Sequence, residues 1–587
     1  MDPFDRSLDS PIGRVRELFA RAPGAVVGVG GMSSLQTGSY IRTPTEGRLA
    51  ALAAQADPPD LFVISGSAGS GKSALIDRLE SQNPGVFGQV LQDATHSDSP
   101  SESQVDVLEG FFEPYRDSAA EPPARPRIIA ANIGLLLAFF TALGERGNHP
   151  LTRLEGVLMY RLGLRAEAPP DLAWSAAVVN LDLRPTAGPE GLLREMLALL
   201  DFDNPSGILG GAPRCQTCTV RAWCPVRSNS LIARHASEAI DTLAERAATE
   251  RGRHDSPRLL WDFTARLLCG DDPFDAEEDP CDAAAAAAER EDRAWVWERL
   301  LPRKLFSVGG ELGERTAQLD PSLQPLAQAH RLLASAGILP EADARELQRL
   351  DPPAAEAIAT AAAHLAAGKL PAAELGRALV TASFLRDPAA WQPGDLIAHD
   401  FHALLLEYER FSGGDAAGPY PELERLRRLI ERALGRSFGL LEGDTPYVPV
   451  EAYDPREPSR VFVEASLHYD DGTYEVLPDP PVQRDPGGAE LAGHTPLSLA
   501  AKLGGVEIVI TTPVYRLLRA AESGTVASTA DLERFYGLRR AVEALARTAS
   551  HHRQLAVQRP GTSRRYNVSR SAGLGGQKTI TVTEARR

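Results

Sequence analysis

The chain has 587 residues and 63.1 kDa, with 43% hydrophobic and 24% charged residues. That length implies three or four domains, or one large domain with inserts, and the composition excludes wholesale disorder and fibrous or collagen-like classes. Sixty-two Lys and Arg against 79 Asp and Glu give a net charge of −17, which excludes a protein that coats nucleic acid with its whole surface, though not a local basic site. The basic residues comprise 57 Arg and only 5 Lys; with abundant Ala, Gly and Pro, this indicates GC-rich coding bias.

The opening stretch MDPFDRSLDS has no positive region followed by an apolar run, so no secretory signal is expected. Next in chain order, LFVIS (61–65) reads as a strand, followed by a Gly/Ser loop and the helical pattern KSALIDRLE. FGQVLQ (87–92), RIIAANI (127–133) and AAVVNLDLR (176–184) supply further strands, and VDVLEGFFEPY (105–115) a helix. Short apolar runs alternating with helices predict a mainly parallel sheet covered on both faces. The most apolar run, Ile128–Leu143, is broken by Asn132 and Gly134. A membrane helix needs about 18–20 uninterrupted apolar residues, so this run reads as a buried strand passing into a helix, and no membrane contact is expected.

Past Cys224 the pattern is helical over 229–270 and 283–301, around the acidic loop 270–282. Residues 321–440 are Ala/Leu-rich with Pro and Gly breaks, which predicts helical hairpins without a fixed repeat. RVFVEASLHYDDGTYEVL (460–477) alternates around Asp-Asp-Gly as a hairpin would. A helical stretch (531–549) then precedes two terminal strands, RRYNVSR and KTITVTE.

Gly66-Ser67-Ala68-Gly69-Ser70-Gly71-Lys72-Ser73 matches G-x-x-x-x-G-K-[ST] in full, between a strand and a helix. Such a loop cradles phosphates with backbone N–H groups; Lys72 reaches the β/γ-phosphates and the Ser73 hydroxyl ligates Mg²⁺. The expected cofactors are therefore ATP and Mg²⁺. Hydrolysis needs an acidic group near the metal and a residue to position water. Asp93 and Asn132, at expected strand ends, are the leading candidates, Asp182 is a third, and Arg258 at the start of SPRLLWDFTARLL is the candidate arginine.

Cys215-x2-Cys218-x5-Cys224-Pro225 gathers three of the chain's five cysteines within ten residues. In a chain without a secretory signal, that points to a cytoplasmic protein with a metal or thiol site. Zinc is expected, with an iron–sulfur cluster as the alternative, and His235, Cys269 or Cys281 as the fourth ligand. Residues 538–587 hold eleven basic against two acidic side chains, a local charge of +9 that leaves −26 on the rest. Arg564-Arg565-Tyr566 adds a ring beside two guanidinium groups, the pattern of a DNA contact, while docking on an acidic surface is the alternative.

The P-loop GSAGSGKS, the strand-end Asp93-Ala94-Thr95-x-Ser97, the helix VDVLEGFF, the strand-helix IIAANIGLL and Cys215-x2-Cys218-x5-Cys224-Pro225-x3-Asn229 occur in consistent order over about 61–230. In this set the chain resembles the P-loop ATPase component of DNA phosphorothioation-dependent restriction systems, the DptF-like family. The resemblance implies an antiphage complex whose other subunits include a translocase- or helicase-like ATPase and a nuclease, since no nuclease motif occurs here. Two other readings stay open: a nucleotide-gated scaffold without significant turnover, and an AAA+-type ATPase that remodels proteins.

The expected fold is an α/β P-loop NTPase domain with a Cys-rich metal-binding insert, a helical middle region and a small α+β C-terminal domain. Its divisions are an N-terminal segment (1–60), the NTPase core (61–204), the Cys-rich insert (205–235), a lid-like helical region (236–310), a helical domain (311–445) and the C-terminal domain with its basic tail (446–587).

Overall fold

The computed structural model describes residues 11–20, 22, 32–92, 103–119, 121–147, 149–165, 172–189, 191–209, 213–270, 280–324, 326–334, 352–367, 370, 372–391, 396–412, 420–437, 447–449, 462–466, 475–479, 483–491, 496–503, 506–523, 525, 540, 554–558, 564–572 and 578–585. The chain divides into two compact units. One comprises Met1–Ala248, Arg253–Asp395 and Val482–Thr495; the other comprises Thr249–Gly252, Leu396–Pro481 and Pro496–Arg587.

The first unit is organised by a parallel four-stranded sheet of order β2-β3-β1-β4, made of β1 (Leu61–Ser65), β2 (Gln89–Leu91), β3 (Arg127–Ala131) and β4 (Ala176–Asn180). Every residue of β1 and β4 is buried, as a parallel strand covered on both faces requires. Side-chain alternation splits these strands between two cores. Leu61, Val63, Ile129 and Val178 pack with Phe111, Phe112 and Phe139 on one face. Phe62, Ile64, Ile128 and Val179 pack with Leu49, Leu75, Ile76 and Leu79 on the other.

The predicted run Ile128–Leu143 is β3 followed by the Ile133–Glu145 helix, which buries Leu136, Phe139, Phe140 and Leu143 at one-face spacing. Helices Pro225–His235, Ser237–Arg251 and Pro257–Cys269 follow, and most of the remaining first unit is helical. Inside it, Asn229 is 1% exposed and ties three segments. Its Nδ2 donates to the carbonyls of Leu268 (3.1 Å) and Arg299 (2.9 Å), and its Oδ1 accepts from the Leu301 N–H (2.7 Å).

In the second unit, helices Leu396–Ser412, Pro421–Ser437 and Thr512–Glu522 share an apolar core that includes Leu499, Ala501, Ile508 and Ile510. The buried Glu407 carboxylate caps the start of Pro421–Ser437 by accepting from the N–H groups of Glu422 (2.7 Å) and Leu423 (3.0 Å). The strands are β5 (Tyr447–Pro449), β6 (Phe462–Ser466), β7 (Glu475–Asp479), β8 (Ser498–Leu503), β9 (Val506–Ile510), β10 (Gln554–Gln558), β11 (Arg565–Ala572) and β12 (Lys578–Ala585). They form two antiparallel sheets, β12-β11-β10-β6-β5 and β7-β8-β9.

The hairpin expected around Asp-Asp-Gly does not form. β6 pairs with β10 and β5, whereas β7 pairs with β8 in the other sheet. Alternation marked both strands correctly but carried no information about which partner each would choose. The predicted helix 531–549 lies outside the described residues apart from Arg540. No helix among the described residues is long and apolar enough to cross a membrane.

Asn229→Ala strips partners from two carbonyls and one N–H in a buried setting. It is expected to cost about 2–4 kcal/mol, read as a lowered denaturant midpoint. An unchanged midpoint would show that water replaces the amide.

Candidate functional site

Residues 66–73 join β1 to the Lys72–Gln82 helix. Gly66, Gly69 and Gly71 have φ of 148°, 82° and 93°, values that L side chains rarely adopt. The carbonyls of the loop are bonded to groups around it. Lys72 Nζ donates to the carbonyls of Gly66 and Ser67, each at 2.8 Å. The Arg258 N–H donates to the Gly69 carbonyl at 3.4 Å, and Arg184 Nη2 to the Ser70 carbonyl at 3.0 Å. These bonds fix the loop at the start of a helix, where an anion is favoured; within it the Ser67 N–H is taken by Asp182 and the Ser70 N–H by the Ser67 carbonyl at 3.3 Å. Ser73 Oγ donates to the Gln92 carbonyl at 3.3 Å, at the end of β2.

The predicted site residues fall out as follows. Asp93 lies outside the described residues. Ala131 is level with Ser65 in the sheet, so Asn132 stands beside the base of the loop. Its Oδ1 accepts from the Leu135 N–H at 2.6 Å as the N-cap of the Ile133–Glu145 helix, which leaves its Nδ2 group for another partner. Asp182 follows β4 in a short 3-10 turn. Its two oxygens accept from the Ser67 N–H at 2.9 and 2.8 Å, and one accepts from the Ser67 hydroxyl at 2.8 Å. Arg258 packs on the loop so closely that a Cβ on Gly69 would lie 2.7 Å from its own Cβ.

Arg184 had no motif to announce it. Burial pushes its guanidinium pKa down, against the Asp182 charge, and its Nε is buried without a hydrogen-bond partner. It lines a cleft beside the loop together with Tyr40, Ile41, Leu75, Met196 and Trp261. The Tyr40 hydroxyl donates to Glu46 Oε2 (2.9 Å), and Gln82 Nε2 donates to Glu46 Oε1 (2.6 Å). These bonds fasten the Pro44–Ala53 helix to the helix after the loop. Burial and the Glu46 charge raise the Tyr40 pKa, so it stays a neutral donor. The cleft walls come from segments distant in sequence, which a linear motif search cannot join.

Cys215, Cys218 and Cys224 line one cavity with Arg221 and Arg227. Burial, then the neighbouring Cys224 and Cys218, push the Cys215 thiol up to about 11. Burial lifts Cys224 too, against backbone N–H bonds from Arg227 and Val226. Cys269, pushed up to about 12 by burial, is near enough to feel Cys224 and Cys281. An Arg214–Asp282 ion pair at 2.6 Å joins the residues next to Cys215 and Cys281. His235 stands at the far end of the eleven-residue helix that Cys224 caps, about 16 Å along its axis, and is removed as a fourth ligand. No three His, Cys, Asp or Glu side chains among the described residues are gathered closely enough to hold a metal ion.

In the basic tail, Arg564 is exposed and its Nε lies 3.8 Å from Glu584 Oε1. Arg539, Arg547, Arg553, Arg559, Arg586 and Arg587 lie outside the described residues.

No protein-family model, curated protein or solved structure matches the chain. The chemistry of the site therefore stands on its own geometry.

Gly69→Ala places a Cβ at φ +82° against Arg258. The expected cost is about 2 kcal/mol, read as a lower denaturant midpoint. Adding Arg258→Ala, which removes the Cδ and Nε neighbours at 3.2 and 3.1 Å but keeps the Cβ, should restore only part of it.

Proposed function

We propose that this chain is the ATP-binding and ATP-hydrolysing subunit of a multi-protein DNA restriction complex acting against phage. The observation that carries the nucleotide part is the loop 66–73, whose carbonyls at Gly66, Ser67, Gly69 and Ser70 are held by the Lys72 and Arg184 side chains and the Arg258 N–H. On this reading the first unit contains a P-loop NTPase domain, and the cleft of Tyr40, Ile41 and Trp261 takes the nucleoside end.

ATP with Mg²⁺ supplies the phosphoryl group and the metal charge that offsets its anion. Lys72, held on two loop carbonyls, would bind the β/γ-phosphates, and the Ser73 hydroxyl oxygen would be the ligand offered to the metal. Arg258, packed on Gly69, is the cation placed to stabilise charge on the transferred group. Asn132 can orient water through its Nδ2, and Asp93, following β2, is the proposed acid near the metal.

The restriction complex rests on the ordered motifs between Leu61 and Ser230 that resemble the DptF-like family. That resemblance supplies the partners, a translocase- or helicase-like ATPase and a nuclease; the proposed cytoplasmic setting rests on the cysteine usage. The basic tail is the proposed DNA contact. Cys215, Cys218 and Cys224 are proposed to hold zinc, or an iron–sulfur cluster, with Cys269 or Cys281 completing four thiolates. What supports this reading is that Cys215, Cys218 and Cys224 line one cavity and that Cys269 is near enough to feel Cys224 and Cys281; metal binding would have to draw the thiols closer together than they stand here.

Steady-state phosphate release from ATP tests the main proposal. The full chain, alone or with DNA and copurified partners, should release phosphate, and Lys72→Ala should lower the rate by about 100-fold. Tight nucleotide binding without turnover under all these conditions would instead make the chain a nucleotide-gated scaffold. The metal is tested separately by elemental analysis and visible absorption of protein purified anaerobically. About one zinc per chain, or iron with sulfide and a broad absorption near 400 nm, is expected, and Cys224→Ser should lose it. Metal-free protein with all five thiols titratable would contradict the centre.

A further inference from the structure

Ser67 is gripped from both sides. Asp182 holds its N–H and hydroxyl with both carboxylate oxygens, while Lys72 Nζ holds its carbonyl and that of Gly66. Lys72 is the group that must reach the β/γ-phosphates. The Asp182 carboxylate and the Lys72 ammonium are therefore bonded to the same residue, Ser67, and the carboxylate already occupies a loop N–H.

We infer that Asp182 is a specificity-determining residue that discriminates nucleoside triphosphates from diphosphates, its charge opposing the terminal phosphate. The inference rests on the nucleotide reading of the loop. A diphosphate leaves the Ser67–Asp182 contact undisturbed. Both nucleotides would meet Lys72 through the β-phosphate, but only a triphosphate would bring a terminal anion toward a carboxylate held in place by three hydrogen bonds from Ser67. Arg184, two residues on, feels the Asp182 charge and is itself bonded to the Ser70 carbonyl. The same short turn therefore touches the loop at Ser67 and at Ser70, and displacing Asp182 would be felt through Arg184.

Equilibrium titration of the full chain with ATPγS and with ADP, each with Mg²⁺, reads the effect. Asp182→Asn, which removes the charge and keeps an acceptor, should raise the ATPγS-to-ADP affinity ratio roughly five- to tenfold, the weight of one like-charge contact near a protein surface. Asp182→Ser should shift the ratio in the same direction, and covers the case in which the first variant does not fold. Ser67→Ala keeps the charge and should leave the ratio within about twofold of the parent. A structural role alone would move both affinities together. An unchanged ratio in both neutral variants would therefore overturn the inference while leaving the nucleotide reading intact. An equal shift in Ser67→Ala would overturn it as well, because the tether and not the charge would then matter. A parent chain that binds neither nucleotide would overturn both.

Discussion

The site depends on one constraint: a loop that presents its N–H groups to an anion must have its carbonyl oxygens satisfied elsewhere. A buried carbonyl left unpaired costs free energy comparable to a lost hydrogen bond. Here the partners come from three directions. Lys72 belongs to the helix after the loop, Arg184 to the turn after β4, and Arg258 to the start of the Pro257–Cys269 helix. None of the three is effective unless the sheet, the turn and the helix are in register. The loop is thus a readout of the packing of the whole first unit.

That packing follows from the two-faced burial of the sheet. Since β1 lies between β3 and β4, its C-terminal end is flanked by Asn132 on one side and by Asp182 on the other. Both polar residues stand where their strands stop. Asn132 spends its Oδ1 on capping a helix, and Asp182 its oxygens on Ser67. The Glu46 carboxylate, 2% exposed, is acceptable because Tyr40 and Gln82 both donate to it. Its role is to join two helices on the face of the sheet that carries the loop.

Much of this was legible in the sequence. β1, β3 and β4 begin at the first residue of the runs that announced them, because short apolar segments bounded by polar residues have few alternatives in a covered sheet. The loop was legible because its glycines, lysine and serine are fixed in spacing. Asp182 was visible only as an acid within the run AAVVNLDLR; its contact with Ser67 spans 115 residues and no local pattern encodes it. Arg184 and the cleft around Tyr40 and Trp261 were missed for the same reason. The β6–β7 hairpin misled in the opposite way, since local alternation was present while the pairing was decided by distant β10 and β8. Asn229, which first stood out within a cysteine motif, is a structural tie between three helical segments.

Hydrogen–deuterium exchange of the full chain, with and without Mg²⁺ and a non-hydrolysable ATP analogue, tests the central claim most directly. Nucleotide seated in the loop should protect the amides of 66–74 and, with them, the cleft segment around Tyr40 and Ile41 and the start of the Pro257–Cys269 helix. Exchange in all three segments that is unchanged by saturating nucleotide would contradict the assignment of this loop as the nucleotide site.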